Sequence, residues 1–201
     1  DNEQTDQLDE ILTTELRNKI DATISKNDIS AIIFQDYDKG VLSPHIIEYI
    51  TQKANAKSIP ILVYPKKRNF WNFKNCTIFK PNFKEFTEGI GKSCAKNNVE
   101  ELFGLAQEFI KKQNIAIIMI TLSEHGIFIA NSSQYYHIPT QVRQVSDVSG
   151  AGDTVISTAT ACYIAQLPLL EIAKIANIAG GLACEQPGVV TITKQEILNN
   201  L

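Results

Sequence analysis

Between residues 31 and 138 the chain alternates short, almost wholly apolar runs with stretches whose apolar residues recur at helical spacing. No other feature constrains the fold as tightly. Ala31-Ile32-Ile33-Phe34-Gln35-Asp36 is a continuous β-branched run that closes on a polar tip. A strand solvated on one face would alternate apolar with polar, so this run reads as a strand covered on both faces. Ser43-Pro44 opens a helix that runs to about Lys57, with Ser at the N-cap and Pro at the first helical position, where its missing N–H goes unnoticed. The next strand is Ile59-Pro60-Ile61-Leu62-Val63-Tyr64, and a short one, Thr77-Ile78-Phe79-Lys80, stands before Pro81. Helical segments near 83–90 and 98–113 lead into the most apolar strand, Ile115 to Thr121. Gly126 to Ala130 and Gln134 to Ile138 are separated by Asn131-Ser132-Ser133, a hairpin signal. Leu8, Ile11, Leu12, Leu16, Ile20 and Ile24 predict an amphipathic helix over residues 5–25. The last third predicts helices over about 152–166 and 168–185, joined at Leu167-Pro168, and a final helix near 194–200. This order implies an α/β fold, a mostly parallel sheet with helices on both faces. No repeat or low-complexity linker divides residues 1–201.

Composition narrows the partners. Net charge is −3 and the pI about 5.7, and the 19 Lys and Arg residues are scattered, densest at Lys66-Lys67-Arg68. A nucleic-acid partner would need a basic face, so none is expected. No apolar run reaches the ~18 residues of a membrane span. Cys76, Cys94, Cys162 and Cys184 form no CxxC pair, and no His stands at ligand spacing from them. They read as reduced thiols of a cytoplasmic protein. The polar start Asp1-Asn2-Glu3-Gln4 is neither a signal peptide nor an initiator Met, so the chain is expected to be processed or cut from something longer.

In open α/β sheets, ligands sit beyond the carboxyl ends of the strands. The polar residues expected there are Asp36, Lys66, Asn82, Glu85, Thr121, Ser123 and the loop 147–153. Within that loop, Gly150-Ala151-Gly152-Asp153 precedes a long apolar helix. Glycines allow unusual backbone angles and close approach of a ligand. The first amides of the helix have no intrahelical acceptor and, with the helix dipole, attract an anion. A carboxylate at such a place has two readings. Asp153 is a helix-capping residue after a turn, or it takes a proton from a hydroxyl that attacks a bound phosphoryl group.

The longer string Asp147-Val148-Ser149-Gly150-Ala151-Gly152-Asp153-Thr154, followed by a helix rich in small residues, resembles the C-terminal signature of the PfkB/ribokinase-like carbohydrate kinases. Lys80-Pro81-Asn82-Phe83-Lys84-Glu85 resembles their NxxE motif, and Thr121-Leu122-Ser123-Glu124-His125-Gly126 their nucleotide-binding turn. Ala176-Asn177-Ile178-Ala179-Gly180-Gly181 is similar to the segment whose Asn lies at the adenine, although a helix-packing role serves Ala179 to Gly181 equally well. The TLSExG form, Asp36-Tyr37-Asp38-Lys39-Gly40 and Pro65-Lys66 are similar to one branch, the heptose-phosphate kinases of the ADP-heptose pathway. Two positions depart from the pattern: Tyr64 replaces an Asp before Pro65-Lys66, and Gly188-Val189 replaces Gly-Thr.

The resemblance implies a ribokinase-like fold of which the N-terminal strands and lid are missing here, so that residues 1–201 form the C-terminal portion of a kinase domain. It implies ATP and Mg²⁺ as cofactors. Asp153 would be the base, with the amides of Gly150, Ala151 and Gly152 at the transferring phosphoryl. Asn82 and Glu85 would hold Mg²⁺, mainly through water. Thr121, Ser123, Glu124, Gly126 and Asn177 would bind the nucleotide, and Asp36, Lys39 and Lys66 the sugar phosphate. His125 is expected as a turn residue rather than a base, and Phe70 and Trp71 as loop packing rather than a stacking platform. The implied substrate is D-glycero-D-manno-heptose 7-phosphate, on the route to lipopolysaccharide core. The implied partners are the missing kinase portion, a second copy in a homodimer, and a nucleotidyltransferase domain, whose HxGH motif does not occur around His45, His125 or His137. Alternatives are another sugar or nucleoside kinase of the same family, or a catalytically silent nucleotide-binding or assembly module.

Overall fold

Strand and helix follow one another as the alternation predicts. The order is α1 (Glu10–Ser25), β1 (Ile32–Gln35), α2 (Pro44–Ala56), β2 (Ile61–Tyr64), β3 (Ile78–Phe79), α3 (Phe83–Ile90), α4 (Val99–Gln113), β4 (Ile117–Thr121), β5 (Ile127–Ala130), β6 (Tyr135–Ile138), α5 (Ala151–Ile164), α6 (Leu169–Cys184) and α7 (Lys194–Leu198). The computed structural model describes residues 5–25, 28–141 and 144–201, and the polar start at residues 1–4 lies outside them. Helix α1 begins later than its apolar spacing suggests. The Asp9 side chain accepts from the Leu12 amide (2.8 Å), which caps the helix there and leaves Leu8 outside it. Helix α1 packs down from Leu16 onward: Ile24 is buried and Leu16 and Ile20 pack against the core, whereas Ile11 is 72% exposed.

The six strands lie side by side in chain order. Strands β1 to β4 are parallel, with Ile32 opposite Ile61, Leu62 opposite Ile78 and Phe79 opposite Ile118. Strands β4, β5 and β6 are antiparallel. The predicted β5–β6 hairpin is present, its turn closed by Asn131, whose side chain accepts from the Ser133 and Gln134 amides (both 2.9 Å). A second hairpin joins β4 to β5 through a 3₁₀ turn at Ser123–His125. A link this short leaves no room for a crossover, so the strands must pair antiparallel.

The parallel strands are apolar on both faces because each face has its own core. Phe34, Val63, Phe79, Ile118 and Ile120 face the side of the sheet covered by α1 to α4. Their neighbours Leu62, Ile78 and Met119, with Ile127 and Ile129, face α5 and α6. On the first side, Phe109 stands amid Phe70, Trp71, Phe79 and Phe86 at ring-centroid separations of 5.0 to 5.7 Å. Phe70 and Trp71 therefore pack a loop, and the Trp71 indole donates to the Gly89 carbonyl (2.9 Å). On the second side, α5 and α6 approach closely: a Cβ on Gly180 would lie 2.6 Å from Val155 Cγ2. The small residues of α6 thus serve helix packing. The four cysteines are free, and burial pushes the Cys76 thiol up to about 12. Among the described residues, no helix is long and apolar enough to cross a membrane.

Candidate active site

Parallel pairing brings the carboxyl ends of β1 to β4 to one edge of the sheet, and Asn82 bridges to Thr121 there. Helix α5 begins over this edge. Gly150, at φ 77°, sits at its N-cap with no side-chain cap. The loop before it is tied down by Asp147, whose carboxylate accepts from the Ser149 amide (2.9 Å) and hydroxyl (2.8 Å) and from the Gly188 amide (3.0 Å). These bonds hold the Asp147 carboxyl below the usual carboxylate range, those from Ser149 contributing most. The Ala151 amide, one of the three expected at the phosphoryl group, is already taken by the Val148 carbonyl (3.2 Å).

Asp153 stands in the first turn of α5. Its Oδ1 accepts from Gln35 Nε2 at 2.5 Å, and its Oδ2 lies 3.4 Å from the Tyr37 hydroxyl. Both partners come from the end of β1, 116 or more positions earlier in the chain. Asp36, between them, points the other way. It is 1% exposed, and its carboxylate accepts from the Asp38 amide (2.8 Å) and from Asn69 Nδ2 (3.2 Å). Its contribution is to fix the loop that carries Tyr37 and the exposed Lys39.

Asn82 and Glu85 form a reciprocal capping box at the start of α3. The Asn82 side chain accepts from the Glu85 amide (2.7 Å), and Glu85 Oε2 accepts from the Asn82 amide (2.8 Å). Glu85 Oε1 pairs with Lys66 Nζ at 2.6 Å. Burial alone would pull Lys66 down, but Glu85 and the adjoining Tyr64 outweigh it and hold the ammonium above the usual lysine range.

At this corner the sequence assigns no role to Gln35 and Lys80, and marks Tyr64 only as a departure from the family pattern. Gln35 was visible only as part of a strand's polar tip, where nothing but the register tells it from Asp36. The Tyr64 ring carries Lys66 Nζ at 4.7 Å and Lys80 Nζ at 3.7 Å from its centroid. Its hydroxyl lies against Gly152, where a Cβ would come within 2.6 Å of it. Burial, and after it the Glu85 charge, pushes the Tyr64 phenol up. Lys80 is 1% exposed, and its ammonium has no hydrogen-bond partner. Burial pulls it down to about 8, against the opposing pull of Glu85 and Asp153. A desolvated cation–π contact returns ~2 kcal/mol, which falls short of the several kcal/mol that burying an ion costs.

The turn expected at the nucleotide follows the carboxyl end of β4. Ser123 adopts φ 56°, and its carbonyl accepts from the Gly126 amide (3.0 Å) and the Thr140 hydroxyl (3.3 Å). Gly126, at φ 88°, admits no side chain, because a Cβ would lie 1.9 Å from the Ile138 carbonyl oxygen. Glu124 pairs with Lys96 (3.1 Å), and its carboxylate lies 3.3 Å from His125 Nε2 within the turn. Asn177 on α6 donates to the Pro139 carbonyl (3.0 Å) beside a cavity of about 140 Å³ that Thr140, Lys174 and Ile178 also line. A hollow of about 610 Å³ lies away from all these residues, among Ser30, Pro60, Ile117 and the α5–α6 connection. It brings together none of the charged groups described above.

A mostly parallel sheet whose carboxyl edge carries a glycine-rich helix start, a carboxylate held from the end of β1 and a capped Asn–Glu pair matches a class of phosphotransferase with an alcohol group as acceptor. The chain belongs to the pfkB family of carbohydrate kinases, which it matches over residues 6–196. It is 35% identical over 193 residues to the bifunctional protein HldE of Vibrio parahaemolyticus, and 34% identical over 191 residues to that of Pelobacter propionicus. These alignments cover 96% and 94% of this chain but 39% of each relative. In fold it is similar to phosphofructokinase-2 from Escherichia coli, with a TM-score of 0.83 at 16% identity, covering 96% of this chain and 62% of that one.

Proposed function

We propose that the chain performs the phosphoryl-transfer part of a kinase reaction in which MgATP phosphorylates the anomeric hydroxyl of D-glycero-D-manno-heptose 7-phosphate. The product would be the 1,7-bisphosphate, an intermediate on the way to ADP-heptose and lipopolysaccharide core. The observation that carries this reading is the Asp153 carboxylate, held by Gln35 over the uncapped start of α5. Similarity to the HldE proteins supports the choice of sugar.

In this reading the sugar oxygen attacks the γ-phosphorus. An O–P bond forms, the bond to the β,γ-bridging oxygen breaks, and ADP leaves with that electron pair. The hydroxyl proton passes to Asp153, whose orientation Gln35 and Tyr37 hold. The glycine-loop amides stabilise the charge that develops on the phosphoryl oxygens, each such donor worth about 3 kcal/mol. Glu85 presents a carboxylate whose oxygens accept from the Asn82 amide and pair with the Lys66 ammonium. That donor set fits a Mg²⁺ that keeps most of its waters. Asn82 and Glu85 would hold it through water, and when bound it neutralises charge on the phosphate oxygens. Thr121, Ser123, Glu124, Gly126 and Asn177 would frame the nucleotide. Asp36 would serve the sugar side indirectly, by ordering its loop, and Lys39 or Lys66 would meet the sugar phosphate. A substrate pair of this kind belongs to the cytoplasm. The remaining length of the HldE relatives fits a further kinase portion and a nucleotidyltransferase domain, with the whole acting as a homodimer.

The test is an assay of the full-length natural protein with MgATP and a panel of sugar phosphates, read by phosphorus NMR. Phosphorylation at the anomeric carbon of the heptose 7-phosphate is expected to exceed that of any other sugar. Preference for another sugar or a nucleoside would move the protein elsewhere in the family. The limited share of its relatives that this chain spans favours one second reading, a silent nucleotide-binding module. Calorimetric binding of MgATP without turnover would support it.

Gln35 gives a sharper check. Gln35→Leu is expected to lower turnover roughly tenfold, the scale of one charge-assisted hydrogen bond of about 1.5 kcal/mol, while MgATP affinity stays unchanged. Unchanged turnover would show that Asp153 needs no orienting partner.

A further inference from the structure

We infer that Tyr37 selects sugar over water as the acceptor: its hydroxyl stands at Asp153 in the place of the attacking hydroxyl and gives way to the sugar alone. The inference rests on the kinase reading and adds to it a residue that guards the base. The two oxygens of the Asp153 carboxylate are held unequally. Oδ1 accepts from Gln35 Nε2 at 2.5 Å in a half-buried contact, whereas Oδ2 meets the Tyr37 hydroxyl at 3.4 Å in an exposed one. The second distance lies beyond the usual range for a hydroxyl donor, so that bond is weak. Oδ2 is therefore the oxygen left for an acceptor, and the Tyr37 phenol is the group that an arriving acceptor displaces.

The backbone on either side of Tyr37 is pinned, which leaves its side chain as the part that moves. The Asp36 amide donates to the Tyr64 carbonyl (3.1 Å), and the buried Asp36 carboxylate accepts from the Asp38 amide (2.8 Å). Asp38, at φ 57°, pairs with Arg68 Nε at 2.9 Å. A Cβ on Gly40 would lie 1.9 Å from the Asp6 carbonyl oxygen, so the far end of the loop has no room to shift. Against this fixed loop the Tyr37 side chain is 60% exposed. An exposed phenol has water to bond to, yet this one is directed at the base. A base beside a bound γ-phosphoryl also activates water. In that side reaction the water oxygen attacks the γ-phosphorus and the bond to the β,γ-bridging oxygen breaks. ADP leaves with the electron pair, and the water proton passes to Asp153. Keeping water from the reacting groups prevents it. A sugar displaces the phenol because contacts along the rest of the molecule offset the loss of one weak hydrogen bond, and a water molecule brings no such contacts.

The experiment compares the full-length natural protein with its Tyr37→Ala and Tyr37→Phe variants. ADP release from MgATP without sugar is measured beside phosphorylation of the heptose 7-phosphate. Tyr37→Ala is expected to release ADP without sugar at least roughly tenfold faster, a fraction of what a positioned base contributes. Tyr37→Phe, which keeps the ring and loses the hydroxyl, is expected to do so roughly threefold faster, the scale of one weak hydrogen bond. Adding Asp153→Asn to Tyr37→Ala should return ADP release to the level of the unsubstituted protein. A merely structural tyrosine would lower sugar phosphorylation and leave hydrolysis where it was. Unchanged sugar-free ADP release in Tyr37→Ala, no rise in Tyr37→Phe, or a rise that survives Asp153→Asn would overturn the inference. Sugar phosphorylation by the unsubstituted protein would still leave the kinase reading in place, and its absence there would remove both.

Discussion

Asp153→Asn is expected to lower sugar phosphorylation by at least ~10²-fold, the low end of what a positioned general base contributes, while MgATP binds as before. The substitution keeps the size and shape of the side chain and removes its charge and, with it, its capacity to take a proton. Gln35 would still meet the amide oxygen, and the first turn of α5 would keep its course, since the Thr154 amide and hydroxyl both bond to the Gly150 carbonyl (2.9 and 3.0 Å). A fall in turnover could then not be laid to a collapsed loop. Single-turnover kinetics with saturating MgATP, beside calorimetry of nucleotide binding, separates the chemical step from binding. Near-normal turnover in this variant would falsify the assignment of the base, and with it the chemistry proposed for the glycine loop.

The second large effect concerns stability. Phe109→Ala should destabilise the fold by about 3–5 kcal/mol, the usual range for truncating a buried aromatic ring. For a chain of this size that is a fall of about 10 °C in melting temperature. Phe109 is 2% exposed and touches four other rings, contributed by the loop after β2, by β3 and by α3. Those neighbours are themselves held by separate elements, so they cannot all close on the space left behind. Phe86 lies one residue beyond Glu85, and the loss is expected to loosen the start of α3 as well. Thermal unfolding followed by circular dichroism would measure the effect. A fall below 2 °C would show that the cluster repacks freely.

Much of this architecture was legible beforehand, for a definite reason. Strands covered on both faces must be continuous apolar runs, and those runs stand out in this chain. Pro44 after Ser43 marks a helix start by local chemistry alone, and that cap is present. The β4–β5 hairpin was harder to see, because Leu122 to Gly126 was read for what it binds rather than for how far it reaches. At the site the motifs point to the glycine loop, the Asn82–Glu85 pair and the turn. They were silent on side-chain direction. Asp36 and Gln35 are adjacent in a strand and so point to opposite sides, and sequence alone favoured the acidic one. Lys80 was read as the end of a strand, and only its burial exposes the charge left without a partner.

The contact between Tyr64 and Gly152 also bears on how this sequence can drift. The tyrosine stands where the resemblance leads one to expect an aspartate, and its hydroxyl occupies the space a side chain at position 152 would need. The two positions are therefore constrained jointly. An alanine at 152 becomes tolerable only after the residue at 64 has shortened, and that shortening strips the ring from Lys80 and Lys66 together. Descendants of this chain are expected to change the three strand-end residues Tyr64, Lys66 and Lys80 as a set, with the glycine last to be released.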